Sequence, residues 1–577
     1  MLNNLRAAFR GLEVEREQRI LVVQAVVIGI GVWGVVTLLK ESIHWLFHEV
    51  LHWVEHAPTP LVLFVPLAAG ALLTGLIAQY RAVVVNYRDE EGEIESLNAV
   101  AGDGIERAIA LYFAADPVAG KGLGQGKTGL EARWQIPTLG LAVRKFLASL
   151  ATLGSGASGG LEAGSALIGE SLGAWYYQIR SRQVRIRSGD APKETTSLWI
   201  APNPDYLQAA QLSGIAAAVT VLLGAPLSAA FFASEVMYRN RPLLSKAFYA
   251  LISAMTAQLL SSLVAGAAPT MFGIPDPVLP PLDQGRYWLG LLLVGFGVAF
   301  VGQIYRVLVV QSHDWFSAGF PNRLVRLLVG FGMTGAIALG VTYLARWLGI
   351  TERGLELVLG SGESMVVSAF AGHVTLAMAL IGLVAKLLAT LWTVNSGGAA
   401  GLLVPSFFLA TMVATAFSLL LRFDPTLLIA PALTGSLVAI VHTPVAAVLF
   451  AVEEFGAAYL APALIVLVVT ALLSHPRSIY RSQRTAVDRI QLLPGYDIEL
   501  LRVPPAWVGQ TLNDLHLADQ YDVHVVGLLD RTTGDERPRA LFDATLAAAA
   551  TLVAEDTILV YGEQERLRAL EIAMDQP

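Results

Sequence analysis

The chain has no cysteine. That excludes disulfides, thiolate metal sites and cysteine nucleophiles together. Charge is scarce too: only 15% of the 577 residues are Asp, Glu, Lys or Arg, against roughly 25% in a soluble domain. A large soluble protein with buried helices needs more charged surface than this. The ten histidines are scattered, with no HExxH and no close pair on a metal-binding face. No metal, no other cofactor and no nucleic-acid partner is expected.

Apolar sequence is what the chain has in quantity. Hydrophobic residues make up 55% of it, and the mean hydropathy is +0.58. Mostly apolar runs cover Leu21 to Leu39, Leu61 to Ala78, Leu289 to Val301, Val367 to Leu391 and Leu460 to Leu473. Several are long enough to cross a bilayer as helices, and the polar segments between them are short. The pattern is that of a polytopic, all-α membrane protein. Arg6, Arg10, Glu13, Glu15, Arg16, Glu17 and Arg19 precede the first run, and no small-residue cleavage site follows it. A surface helix leading into a true span fits better than a cleaved signal peptide.

Three parts are expected: an N-terminal cytoplasmic helix over 1–20, a membrane domain over 21–482 and a small α+β cytoplasmic module over 483–577. Basic clusters at Arg180 to Arg187, Arg239 to Lys246 and Arg477 to Arg489 mark cytoplasmic segments, since such residues are retained on that side of a cell membrane. In the last part Tyr521 to Leu529 alternates and is valine-rich, which reads as a strand. Asp556 to Tyr561 reads as another, and Glu563 to Ala573 as a helix. Phe542 to Ala554 fits either type.

The membrane domain repeats itself. 'GSGASGGLEAGS' (154–165) aligns without a gap on 'NSGGAAGLLVPS' (395–406), so that Ser155 meets Ser396, Gly160 meets Gly401 and Glu162 meets Leu403. In the same order, 'GAPLSAAFFASE' (224–235) aligns on 'HTPVAAVLFAVE' (442–453), matching Pro226 to Pro444 and Glu235 to Glu453. Duplicated halves with broken helices near the midplane are common in transport proteins.

Glycine runs in a span let helices approach closely. They also let a helix begin inside the membrane, where its first N–H groups and positive dipole end make an anion site without a full charge. Such a site suits an ion that must leave again. Glu162, alone among glycine, alanine and serine, stands at such a start. A carboxylate there occupies the anion site until protonation or displacement moves it away. Intramembrane carboxylates are costly and usually functional.

These motifs resemble the CLC family of chloride channels and proton-coupled chloride antiporters. The family's glycine–basic–glutamate–glycine–proline motif corresponds to Gly160-Leu161-Glu162-Ala163-Gly164, with the basic residue, the second glycine and the proline all replaced. The glutamate is kept, so the resemblance makes Glu162 the gate. The late glycine–x–phenylalanine–x–proline motif corresponds to Gly401-Leu402-Leu403-Val404-Pro405, whose Leu402 and Leu403 amides then hold the central anion with help from Gly160. Tyr480, in 'HPRSIYRSQ', matches the tyrosine of the inner anion site. The first family motif, glycine–serine–glycine–x–proline, is expected near 'PVAGKGLGQ' (117–125), which lacks the serine. The family serine then falls on Gly122 or, with different spacing, on Lys121, which puts the anion's identity in question.

The resemblance also implies a mechanism and an assembly. Antiporters of the family carry an internal proton-relay glutamate at the position of Val236, next to Glu235. Valine cannot carry a proton, and Glu235 lies about 100° away around a helix. An anion channel is therefore expected, with a proton-coupled antiporter or a carrier of another anion as the alternative. The implied fold is a two-fold pseudosymmetric helical domain in a homodimer within the bilayer. The C-terminal module, with Val508-Gly509-Gln510-Thr511-Leu512 and Asp556 to Gly562, is similar to the C-terminal subdomain of potassium-uptake regulators (TrkA-C or RCK-C type). That similarity implies dimerisation and a small regulatory ligand. An enzyme using Ser155, Ser158 or Ser165 with Glu162 is a rival reading without a well-placed base. A membrane sensor built on a degenerate transporter is another.

Overall fold

Apolar runs become helices in the computed structural model, but not always one helix per run. The structure describes residues 16–89, 93–116, 120, 122–127, 129–187, 203–239, 243–266, 271–273, 278–350, 354–484, 490–493, 496–530, 539–541, 550–553 and 556–574. Residues 1–15, Lys121 and 542–549, on which parts of the sequence reading fall, lie outside them. The chain divides into two compact units, Met1–Arg484 and Thr485–Pro577.

The first unit is helical. α1 (Arg16–His56) absorbs residues 16–20, so these do not form a separate surface helix. α2 (Phe64–Gln79) leads to a hairpin of β1 (Val84–Arg88) and β2 (Ile94–Asn98), paired antiparallel. Then come α3 (Gly104–Ala114), α4 (Gly129–Trp134), α5 (Leu139–Gly154), α6 (Glu162–Arg187), α7 (Pro204–Leu223), α8 (Pro226–Glu235) and α9 (Leu244–Ala265). The second half follows with α10 (Gly285–Gly319), α11 (Arg323–Trp347), α12 (Glu363–Phe370), α13 (Leu376–Asn395), α14 (Leu403–Leu421), α15 (Pro425–Val441), α16 (Pro444–Phe455) and α17 (Leu460–Leu473). Among the described residues, eight helices are long and apolar enough to cross a membrane.

Local chemistry sets where these helices begin. Asp103, Asn203, Asn322, Thr375 and Asp424 each accept a hydrogen bond from an amide of the first turn, the usual work of an N-cap. Pro204, Pro226, Pro425 and Pro444 occupy first positions, where a missing N–H costs nothing. The apolar run from Val367 to Leu391 is not one helix. It stops at Phe370, turns through Gly372 at φ +73° and restarts under the Thr375 cap.

The two halves repeat each other in detail. Thr74 and Thr152 share a hydroxyl hydrogen bond of 2.9 Å, and so do Thr334 and Thr393. A Cβ on Gly70 would fall 2.2 Å from the Ser155 hydroxyl, and one on Gly330 the same distance from that of Ser396. Lys145, fully buried, donates to the carbonyls of Val100 (3.0 Å) and Gly102 (2.7 Å). Lys386, also fully buried, donates to those of Val358 (3.2 Å) and Gly360 (2.6 Å). The paired prolines start α8 and α16, and each helix carries in its last turn a glutamate that caps the other. Glu235 accepts from the amides of Val445 (3.2 Å) and Ala446 (3.0 Å), and Glu453 from those of Leu227 (2.9 Å) and Ser228 (2.8 Å). This is an inverted repeat with helices broken inside the membrane domain.

The second unit is a small α+β domain. Its sheet has strand order β3-β4-β7-β5-β6, every pair antiparallel: β3 (Ile490–Leu493), β4 (Tyr496–Arg502), β5 (Val523–Asp530), β6 (Arg539–Leu541) and β7 (Thr557–Glu563). α18 (Leu517–Tyr521) and α19 (Gln564–Met574) complete it. Along β7 alternate residues are buried, so Ile558 and Val560 join Val523, Leu528, Leu567 and Leu570 in a core of its own.

Candidate functional site

The site is built where the two glycine runs cross. Gly160 N–H donates to the Gly401 carbonyl at 2.9 Å, and Gly401 N–H to the Gly160 carbonyl at 2.8 Å. On either side of this crossing a helix begins, α6 at Glu162 and α14 at Leu403. Side chains at the crossing would not fit. A Cβ on Gly160 would lie 1.9 Å from Glu162 Oε2, and one on Gly401 2.2 Å from Glu162 Oε1.

Glu162 is fully buried. Its Oε1 accepts hydrogen bonds from the Leu403 amide (2.7 Å) and the Val404 amide (3.1 Å). These N–H groups belong to the first turn of α14 and have no partner within the helix. They are the donors that favour negative charge. Glu162 Oε2 is buried and has no hydrogen-bond partner in the protein.

A second carboxylate, absent from the sequence reading, holds the neighbouring amide. Asp103 Oδ2 accepts from Leu402 N–H at 2.9 Å, while its Oδ1 caps α3 through Ile105 N–H at 2.8 Å. Three successive amides of one helix start, at Leu402, Leu403 and Val404, thus end on two protein carboxylates. Tyr305 closes the group from α10, its hydroxyl donating to the Leu402 carbonyl at 3.1 Å. The signal for Asp103 was an Asx cap between two glycines, followed three residues later by Glu106 and an amphipathic helix. Gly360-Ser361-Gly362, ahead of α12, is its counterpart in the second half.

Gly122 is not brought to this group. It sits in a turn at φ +78°, and its Cβ direction meets Ile94 at 3.1 Å and Arg88 at 4.0 Å. Three glycines at alternate positions suggest the motif there, but among the described residues none of them hydrogen-bonds to Glu162 or to the Leu402–Val404 amides. Tyr480 does lie near: it is buried, its hydroxyl has no protein partner, and Asp103, Glu162 and Tyr305 are within electrostatic reach. It borders a cavity of about 260 Å³ together with Arg239, Arg306, Arg477 and Arg481. Asp103 and Leu402 line a neighbouring cavity of about 250 Å³ with Glu106, Arg107, Arg323 and Arg326.

Val236 is buried at the end of α8. Glu235, one residue before it, is turned toward the start of α16. The serines of the glycine run meet no base: Ser155 donates to the Thr152 carbonyl at 2.8 Å, and Ser158 pairs with the Thr390 hydroxyl at 3.1 Å. Among the described residues no group of three His, Cys, Asp or Glu is placed to hold a metal ion.

Three comparisons bear on this arrangement. A family model described as voltage gated chloride channel matches residues 105–475. Proteins named H(+)/Cl(-) exchange transporter ClcA are 25% identical over 285 residues in Salmonella agona (strain SL483) and over 283 in Citrobacter koseri. Each match covers 48% of this chain and 51% of the relative, so the chain spans about half the length of the curated relatives it matches. Among solved structures, a CLC-type fluoride/proton antiporter superposes with a TM-score of 0.59 at 23% identity, covering 82% of this chain and 99% of that one. A slow cyanobacterial Cl-/H+ antiporter gives 0.58 at 17% identity, covering 81% and 96%. At those identities the likeness establishes the fold. Together with the match over most of the membrane domain, it places the chain in the voltage gated chloride channel (CLC) family.

Proposed function

We propose that this chain carries a small anion, chloride first, across the membrane past the starts of α6 and α14, with Glu162 as the gate. The observation behind this reading is the Glu162 carboxylate on the Leu403 and Val404 amides. Donors that hold a carboxylate there suit a halide once the side chain swings away. Gly160, Leu402, Leu403 and Tyr480 are the proposed ligands. Partial charges in place of a fixed cation keep binding weak enough for release.

Val236 supports passive conduction, because it cannot relay protons. The relatives named as proton/chloride exchangers and the fluoride/proton antiporter support the alternative, coupling to protons or another anion. Arg239, Arg306, Arg477 and Arg481 gather around one cavity, which supports a cytoplasmic placement for that side. We further assign the chain a homodimeric state, and the C-terminal domain a regulatory, ligand-binding role of the TrkA-C type.

The test is chloride efflux from vesicles holding the purified full chain, with external pH recorded together, for wild type and Glu162→Gln. Chloride flux that the substitution raises severalfold supports the gate. Proton movement alongside chloride selects exchange, and chloride without protons selects the channel. Absence of flux for chloride, fluoride and nitrate alike sinks the reading.

A further inference from the structure

We infer that Asp103 is a second gate on the anion path: an anion takes the Leu402 amide only after Asp103 accepts a proton. Anion passage is then linked to protons although position 236 is valine. The inference rests on the anion-transport reading above.

Its basis is a shared donor. Leu402 N–H is spoken for by Asp103 Oδ2 at 2.9 Å, next to the two amides that hold Glu162. A carboxylate at hydrogen-bond distance repels any anion approaching that donor. Protonation neutralises the carboxylate, and the incoming anion then restores the single negative charge. A hydronium ion in the cavity gives its proton to Oδ2 and departs as water, the Leu402 N–H···Oδ2 hydrogen bond breaks, and the anion accepts that N–H. The site bears one negative charge before, on the carboxylate, and one after, on the anion.

Water can reach the group. The cavity of about 250 Å³ that Asp103 and Leu402 line includes the exposed residues Ser96 and Ser317, and each water occupies only about 30 Å³. Glu106 lines it too, its Oε1 accepting from Arg481 N–H at 3.0 Å.

The groups facing Asp103 oppose one another. Arg107 and Glu106 of α3, Lys145 of α5 and Glu162 of α6 face it, two cations and two carboxylates around a buried group. Tyr305 of α10 and Tyr480 stand beside it. The contact with Leu402, and not this balance, carries the inference.

Asp103 also caps α3, so the variants must keep a cap. Asparagine and serine both do. Purified full-length wild type, Asp103→Asn and Asp103→Ser would be checked for folding by thermal unfolding. Each would then be reconstituted for simultaneous chloride and proton recording, with pH varied on each side. Wild-type chloride flux should rise on acidifying one side, up to the limit of about tenfold per pH unit for a single proton. In both variants chloride flux should persist, its pH response falling below about twofold per unit, and proton movement should vanish. Folded variants that keep the wild-type pH response and proton movement would make Asp103 a cap only. Wild-type chloride flux indifferent to pH on both sides also overturns the gate, while leaving anion transport standing. Loss of all anion flux in wild type removes both.

A measurement without any Asp103 variant guards against misfolding. Chloride binding to Glu162→Gln protein, by calorimetry, should be at least tenfold tighter at pH 5 than at pH 8. Equal binding at the two values overturns the proposal.

Discussion

Gly160 and Gly401, equivalent residues of the two halves, hydrogen-bond to each other in both directions. Two residues related by a two-fold can pair reciprocally only at the axis, so the crossing marks the pseudosymmetry axis of the domain. The symmetry fails two residues further on. Glu162 has Leu403 as its counterpart, and the leucine's amide holds the glutamate's carboxylate. A symmetric scaffold thus carries a carboxylate in one half only.

Gly401→Ala should open the gate proposed at Glu162. The added methyl would sit 2.2 Å from Glu162 Oε1, the far end of a flexible side chain, and 3.0 Å from the Ala163 Cβ. The carboxylate yields first and leaves its amides. We expect chloride flux to rise severalfold, in the direction of Glu162→Gln, with wild-type folding retained. Flux at or below the wild-type level would show that the helix start moved instead.

Glu235→Gln should cost more stability than Glu453→Gln. Both carboxylates accept two amide hydrogen bonds at a helix start, but Glu235 is fully buried and Glu453 partly exposed. Hydrogen bonds to charged groups contribute about 1.5–3 kcal/mol each, and a neutral amide retains part of that. Thermal unfolding in detergent checks the order of the two.

The fully buried pair Arg133 and Glu170 should tolerate no single replacement. Both guanidinium Nε and Nη2 donate to Glu170 Oε1, at 3.1 and 3.0 Å, and Gln211 and Ser171 complete its shell. Glu170→Leu strands a buried cation, at about 3–5 kcal/mol. A loss of folded protein on size-exclusion chromatography is expected, with much of it restored by adding Arg133→Met.

The arginines around Tyr480 should act on capture of the anion. Arg306→Gln removes one charge from the cavity wall. Chloride uptake from that side should fall about two- to fivefold at low ionic strength. The deficit should shrink at 0.3 M salt, where charges are screened within less than about 10 Å. A deficit independent of salt would indicate a packing defect.

Much of this was legible in the sequence. Glycine, proline and glutamate stand out against an apolar background, so the repeat and a helix start at Glu162 could be read directly, while the Leu402 and Leu403 amides entered only through the resemblance to the CLC motif. Asp103 is not legible from glycine spacing, since Gly120, Gly122 and Gly124 form the more regular pattern and the Asp103 cap ahead of α3 stands in a short loop. The β1–β2 hairpin was missed as well, although Val83 to Val85 is β-branched and Asp89 to Gly92 is turn-like. The break at Gly372 was hidden inside an apolar run, where hydropathy is blind to a single left-handed residue.

The exchange of caps between α8 and α16 sets a condition on the ancestry of the domain. A chain with a single copy of the repeat would have two amides at its helix start without acceptors, and a glutamate at the other end without donors. A second copy, inserted upside down beside it, would satisfy both ends at once. The bonds from Glu235 and Glu453 are those a two-molecule ancestor of opposite orientations would have needed, and gene fusion would have preserved them inside one polypeptide.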